Sequence, residues 1–170
     1  EAVHASNCAL DTTALVALAT VLQANTSLRV LDISRPLAKT LMDEPASHFG
    51  RMLHVNTTLQ ELDLSQCKMN DFGLQLLAES IYRAGPSSGL QVLKVACNNI
   101  QLVSDECVLA LSLMLSHNTC RLSELYLGSN RLRDEGALKL AEVVSQSEKL
   151  RKLDVTSNSI TSRGLCALAR

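Results

Sequence analysis

Residues 122–132 read Leu-Ser-Glu-Leu-Tyr-Leu-Gly-Ser-Asn-Arg-Leu, and this stretch decides the fold. It contains the frame Leu-x-x-Leu-x-Leu-x-x-(Asn/Cys)-x-Leu, which returns along the chain every 28 to 32 residues. The Asn/Cys position of the frame falls at residues 8, 36, 67, 98, 130 and 158. Because self-similarity at such a period is the signature of repeat architectures, the sequence predicts six copies of one structural unit, the first of them incomplete.

Between the frames, the spacing of apolar residues changes from two to three and four. After Asn130, for example, Leu138, Ala141 and Val144 define one face of a helix of about three turns. A strand followed by a helix cannot bury its leucines alone, but stacked copies share one core. The sequence therefore predicts an α/β fold: a right-handed β/α solenoid with parallel strands on the concave face and helices on the convex face.

These repeats resemble the ribonuclease-inhibitor-like class of leucine-rich repeats over essentially the whole chain. The resemblance rests on the frame, the 28-residue step, the glycines Gly73, Gly136 and Gly164 near the helix starts, and recurring Asn-Thr junctions. It implies five to six repeats in one domain, 1–170, and protein binding without catalysis in the cytoplasm or nucleus. The repeats are divided at approximately 1–27, 28–58, 59–89, 90–121, 122–149 and 150–170. Since no polar capping repeat is recognisable at either end, we expect a longer parent chain.

Several positions depart from the frame or mark its junctions. Pro36 occupies the Asn/Cys position of the second copy, with Ala38 at the following apolar position, and we expect the local turn to differ there. The third copy carries extra residues at 83–89, which we expect to form a loop, and the fourth at 101–106. Asparagines at the junctions are expected to close helices in the left-handed conformation; they are Asn25, Asn56 and Asn118.

Alternate side chains of each strand should face away from the core, on the open side of the sheet. The candidate partner-binding residues on that side are Asp32, Glu61, Asp63, Lys94, Glu124, Tyr126, Lys152 and Asp154. Ser34 and Gly128 are expected on the same surface. The negative charge of Asp32, Glu61 and Asp63 is either a partner-facing feature or an ordinary solvated surface. Tyr126 either contacts a partner or only packs over a neighbouring lysine.

Catalytic and metal-binding chemistry has no sequence support. The six cysteines form no Cys-x-x-Cys motif, and Cys8 and Cys67 fill the Asn/Cys position, where a buried free thiol is expected. Reduced thiols fit a cytosolic or nuclear compartment. The four histidines are scattered, and no phosphate-binding loop, dinucleotide-binding or nucleophile-elbow motif is present. We therefore expect no enzymatic activity, no cofactor and no metal.

Charge and composition narrow the class of partner. Sixteen basic residues are balanced by 17 acidic ones, and only 2% of residues are aromatic, which argues against nucleic-acid binding. No apolar stretch approaches the roughly 20 residues needed to span a bilayer. The segments 25–27 and 56–58 match glycosylation acceptors, but their junction role explains them better. We expect a protein partner and neither a membrane nor a small-molecule substrate.

The predicted function is a protein-protein interaction scaffold that uses the concave face and its rim. Two alternatives stay open. The chain could be the sensor or regulatory region of a larger nucleotide-hydrolysing receptor, which would carry a phosphate-binding loop elsewhere. It could instead be a structural component of a large assembly, which would bury the convex side as well.

Overall fold

Each predicted repeat contributes one short strand and one helix. The computed structural model describes residues 1–37, 39–40 and 42–169. The strands are β1 (Ala2–His4), β2 (Val30–Asp32), β3 (Glu61–Asp63), β4 (Val92–Lys94), β5 (Glu124–Tyr126) and β6 (Lys152–Asp154). The helices are α1 (Thr12–Leu22), α2 (Asp43–Val55), α3 (Asp71–Ala84), α4 (Asp105–Ser116), α5 (Arg133–Ser145) and α6 (Ser162–Leu168). All neighbouring strands pair in parallel, in the order β1 to β6, so the solenoid prediction is confirmed.

The core lies between the sheet and the helices. The central leucines of β2 to β5 stand in register and are fully buried; they are Leu31, Leu62, Leu93 and Leu125. Each one faces apolar side chains from the helices, such as Leu15, Leu77, Leu111 and Leu140, which are also fully buried. Burying one such side chain stabilises the fold by about 1.5–3 kcal/mol. The alternation read from the sequence therefore places the leucines as predicted.

A ladder of buried asparagines ties successive repeats together at the Asn/Cys position. Asn98 Oδ1 accepts hydrogen bonds from the backbone N–H groups of Cys67 and Met69, both at 2.9 Å. Its Nδ2 donates to the carbonyls of Leu64 at 2.9 Å and Val95 at 3.0 Å. Asn130 and Asn158 repeat the same pattern one and two copies later. The amide thus satisfies backbone groups of two repeats at once, which explains its recurrence.

The residue before this position has a left-handed backbone in every copy. The preceding residue has a positive φ each time: Asn7, Arg35, Gln66, Cys97, Ser129 and Ser157, between 53° and 59°. The chain enters the turn at Pro36 as it does in the other copies, because Arg35 has the shared left-handed conformation at φ 53°. The prediction of a different turn is therefore wrong for the residue that precedes Pro36. What Pro36 lacks is the side-chain donor that Asn98 has. Ala38, the next frame position, lies outside the described residues.

The cysteines at this position differ in burial. Cys67 is buried, and its thiol lies 3.8 Å from the carbonyl oxygen of Ile33 in the preceding repeat. Cys8 is exposed, contrary to the prediction, because no described repeat lies on the side from which Ile33 covers Cys67.

Two of the junction asparagines, Asn25 and Asn56, act through their side chains and not through a left-handed backbone. Asn56 has an extended conformation, with φ −78° and ψ 121°, so the predicted left-handed cap is wrong there. Its Nδ2 donates to the carbonyl of Leu22 at 2.7 Å, and its Oδ1 accepts from the N–H groups of Thr58 and Leu59. Neither Asn25 nor Asn118 is among the described residues with positive φ. The amide satisfies the carbonyl at the end of the preceding helix, which leaves no need for a left-handed residue.

The two insertions are ordered. Residues 85–87 form a 3₁₀ turn directly after α3, where the sequence suggested a plain loop. The insertion before α4 is held by Asp71, whose carboxylate accepts four successive backbone N–H groups, from Gln101 at 2.7 Å to Ser104 at 3.3 Å. Asp134 bonds the N–H groups of Thr161 and Gly164 in the same manner. An acidic side chain at the start of one helix thus organises the start of the next.

The glycines near the helix starts permit close packing between repeats. A Cβ placed on Gly136 would lie 2.3 Å from the carbonyl oxygen of Gln101 in the preceding repeat. A Cβ on Gly164 would lie 2.8 Å from Asp134 Oδ1. The recurring glycine therefore marks the place where one helix meets the backbone and side chains of the copy before it.

Candidate protein-binding face

The side of the sheet opposite the core presents two rows of side chains. The strand register aligns one row through Ala2, Val30, Glu61, Val92, Glu124 and Lys152, and a second through His4, Asp32, Asp63, Lys94, Tyr126 and Asp154. Adjacent strands lie about 4.8 Å apart, so neighbours in a row are within reach of each other. All eight candidate residues lie on this surface, which we call the open face, and all are accessible or half-buried.

Two residues just beyond the strands, Ser34 and Gly128, are less exposed than the sequence predicts. Ser34 is buried, contrary to the prediction, and its hydroxyl lies 2.8 Å from Ser6 Oγ and donates to Asp32 Oδ1 at 2.7 Å. Gly128 is buried as well, beneath the side chains of Asp154 and Thr156. Asp32 and Asp154 belong to the open face, so Ser34 and Gly128 keep the predicted side of the sheet but are covered by its side chains.

The C-terminal half of the open face carries a connected polar network. Lys94 Nζ donates to Glu61 Oε1 at 2.5 Å, and this hydrogen bond raises the pKa of Lys94. The Nζ atoms of Lys94 and Lys152 lie 5.8 Å and 4.8 Å from the Tyr126 ring centre. The Tyr126 hydroxyl donates to Glu124 Oε2 at 2.6 Å. Tyr126 therefore packs between two lysines, a cation–π arrangement that fixes the orientation of its ring.

The N-terminal half of the open face is acidic, with a smaller cluster than the sequence suggested. Glu61 is paired with Lys94, which leaves the neighbouring Asp32 and Asp63 as the acidic pair. His4 Nδ1 lies 3.9 Å from Asp32 Oδ2. Like charges on adjacent strands destabilise a sheet by roughly 0.2–1 kcal/mol.

These aspartates also have a local structural role. Asp63 Oδ1 accepts the N–H of Ser65 at 2.9 Å, and Asp154 Oδ1 accepts that of Thr156 at the same distance. Asp32 bonds the N–H of Ser34 equivalently. An aspartate at this position ends the strand by accepting a hydrogen bond from the backbone N–H two residues later in the chain. A substitution intended to test only its charge must therefore keep that acceptor.

Comparisons with known proteins agree with this geometry. A family profile described as leucine-rich repeat matches residues 55–78, 120–141 and 146–169. Mouse leucine-rich repeat-containing protein 34 is 33% identical over 164 residues, which cover 96% of this chain and 38% of that protein. Pig ribonuclease inhibitor is 36% identical over 121 residues, covering 70% of this chain and 25% of that protein.

The chain consists of leucine-rich repeats that are similar to those of ribonuclease inhibitor. It spans well under half the length of these two relatives. The fold is also shared with the C-terminal domain of tropomodulin from Caenorhabditis elegans, with a TM-score of 0.66, 14% identity, and coverage of 91% of this chain and 89% of that one. At that identity, the likeness concerns the leucine-rich repeat fold alone.

Within residues 1–37, 39–40 and 42–169, no group of three or more His, Cys, Asp or Glu side chains is arranged to hold a metal ion. Burial raises the pKa values of the Cys67 and Cys107 thiols to about 12, so both are protonated at neutral pH. None of the helices in the described part of the chain is long and apolar enough to cross a membrane.

Sequence reasoning missed the residues that organise the leucine-rich repeats from one copy to the next. The bridging role of Asp71 is one example, and the pairing of Glu61 with Lys94 is another. A usable signal existed for the second, because the frame places Asp63 and Lys94 on adjacent strands with Glu61 two residues before Asp63. The first required the conformation of an insertion that occurs once.

Proposed function

We propose that this protein is a non-catalytic scaffold that binds a protein partner through the open face of its sheet. Leucine-rich repeats generally mediate protein-protein interaction, and the family relationship supplies the class of function. The observation that carries the proposal is the continuity of the open face. Six strands in one register present two rows of accessible side chains, over a leucine layer that is fully buried in β2 to β5.

The distribution of charge on this face defines the chemistry of the partner. Lys94 and Lys152 are offset by Glu61 and Glu124, at 2.5 Å and 4.0 Å. Asp32, Asp63 and Asp154 remain without a lysine partner in these pairs, and two of them, Asp32 and Asp63, lie in register on the neighbouring strands β2 and β3. A partner with lysine or arginine at the matching position would remove the repulsion between the two carboxylates and pair with both. A cytoplasmic location and a lack of catalytic activity are part of this proposal.

The experiment has two stages. The full-length protein is first captured from its native cells, and the co-purifying proteins are identified by mass spectrometry. The most abundant one is then produced alone and titrated against the wild type and the double variant Asp32→Asn/Asp63→Asn. Asparagine retains the Oδ1 acceptor that closes each strand end but removes the charge, so the fold is preserved.

We expect the double variant to bind the partner roughly 2- to 30-fold more weakly, because two exposed ion pairs contribute about 0.2–1 kcal/mol each. The matched control is Glu135→Gln/Glu142→Gln, which removes the same charge from exposed positions on α5. Its affinity should equal that of the wild type. Equal affinity of all three proteins would show that the acidic half of the open face is not the binding site.

A further inference from the structure

A basic groove lies outside the open face, on the rim where helices lead into β4, β5 and β6. Three cationic side chains border it: Arg121, Lys149 and Arg151. The other lining residues are uncharged, namely Pro86, Gln91, Asn118, Thr119, Cys120 and Ser123. None of the eight candidate residues of the open face borders this groove.

The repeat geometry brings these cations together. The N–H of Ser123 donates to the carbonyl of Gln91, and the N–H of Arg151 donates to that of Ser123, both at 2.8 Å. These three residues therefore hold the same position in successive copies, one strand spacing apart. Arg121 and Lys149 each precede that position by two residues, so they lie side by side as well.

The position that Arg121 and Lys149 share is uncharged in earlier repeats, whereas the position of Arg151 holds Gln91, Gln60 and Arg29 in other copies. The N–H of Gln91 donates to the carbonyl of Gln60 at 2.8 Å, which places Thr58 and Gly89 at the position that Arg121 and Lys149 occupy later. The repeat fold therefore does not require cations there. The adjacent cations Arg121 and Lys149 are therefore a feature of these later copies, and Arg151 adds a third charge beside them.

No carboxylate in the described part of the chain lies within ion-pair distance of the groove cations. Among the described residues, five ion pairs form, and none involves Arg121, Lys149 or Arg151. Arg151 Nη1 donates to the backbone carbonyl of Glu148 at 2.8 Å, which fixes the guanidinium beside the groove without neutralising it. A concave surface lined by charges of one sign concentrates the field and attracts the opposite charge.

We propose that this groove binds an acidic peptide segment of a protein partner. Arginine guanidinium groups form paired hydrogen bonds with carboxylates, and clusters of arginine are a recurring means of reading acidic motifs. The uncharged lining residues supply further donors and acceptors for a peptide backbone. Single-stranded nucleic acid fits less well, since its binding depends on aromatic side chains for base stacking and no aromatic residue borders the groove.

The test uses a fluorescein-labelled peptide of ten residues with alternating glutamate and serine, and fluorescence anisotropy. The variant Arg121→Glu/Arg151→Glu is compared with Arg131→Glu/Arg163→Glu, which makes the same change of net charge at exposed positions on the opposite rim. We expect the peptide to bind the wild type. The groove variant should bind the peptide with an affinity at least about tenfold lower. The control variant should stay within about twofold, and raising the salt from about 20 to 200 mM should weaken binding.

The groove is overturned as a peptide site if the acidic peptide does not bind, if both variants lose affinity equally, or if a ten-nucleotide single-stranded RNA binds the same groove more tightly. A lysine-serine peptide of equal length that bound as well would overturn it too. The outcome is independent of the open face, because Asp32→Asn/Asp63→Asn is expected to leave binding of the glutamate peptide unchanged.

Discussion

Replacing Asn98 by alanine tests the physical basis of the repeat stack. The Asn98 amide is buried and makes four hydrogen bonds of 3.0 Å or less, two to N–H groups of the preceding repeat, one to a carbonyl of that repeat, and one to a carbonyl of its own. Alanine removes all four and leaves backbone groups in a dry interior without partners.

The size of the effect follows from those four bonds. At about 1 kcal/mol each, Asn98→Ala should lower the free energy of unfolding by about 4 kcal/mol. This is a large part of the roughly 5–15 kcal/mol that holds an ordinary domain together. With a urea dependence of about 2 kcal/mol per molar, the unfolding midpoint should fall by about 2 M.

The assay is urea denaturation followed by circular dichroism, with amide hydrogen exchange of Cys67 and Met69 as a local readout. The exchange measurement is needed because repeat arrays can unfold in parts. Asn118→Ala is the control, since it makes the same chemical change at an exposed position and should cost no more than about 0.5 kcal/mol. If Asn98→Ala costs no more than this control and exchange is unchanged, the ladder does not stabilise the stack.

Two further predictions follow from burial and close packing. At pH 8, iodoacetamide should alkylate the exposed Cys166 but not Cys67 or Cys107, because burial raises their pKa values to about 12 and thiolate forms only as the pH approaches that value. Peptide mass spectrometry reads the labelling, with the urea-unfolded protein as the control; equal rates in the folded protein would contradict the burial. Gly136→Ala should lower the urea midpoint, because the overpacking against the Gln101 carbonyl at about 1–3 kcal/mol exceeds the gain in helix propensity of about 1 kcal/mol. A raised midpoint would show that the helix moves away at little cost.

Where the sequence was a poor guide, a side-chain contact replaced a local backbone preference. The left-handed cap expected at Asn56 is absent because its amide bonds the carbonyl of Leu22, in another repeat. The exposure expected for Ser34 fails because it bonds Ser6 and Asp32. Leu22 lies 34 residues before Asn56, and Ser6 lies 28 residues before Ser34. Contacts between residues so far apart in sequence are not visible in local periodicity. Partner contacts by Tyr126 and the other open-face residues stay a prediction.

The sequence by itself determined the repeat, the alternation of strand and helix, and which side chains face the core. Those properties follow from periods of two and 3.6 residues and from a frame that recurs every 28 to 32 residues, so they are written into short segments. Only the tertiary structure decided that Glu61 is neutralised by Lys94, that Asp71 holds a neighbouring insertion, and that three cations share one groove. These depend on distances of a few ångströms between side chains from different copies. Hydrogen bonds and screened charges act only over such distances, and insertions of a few residues change which atoms meet.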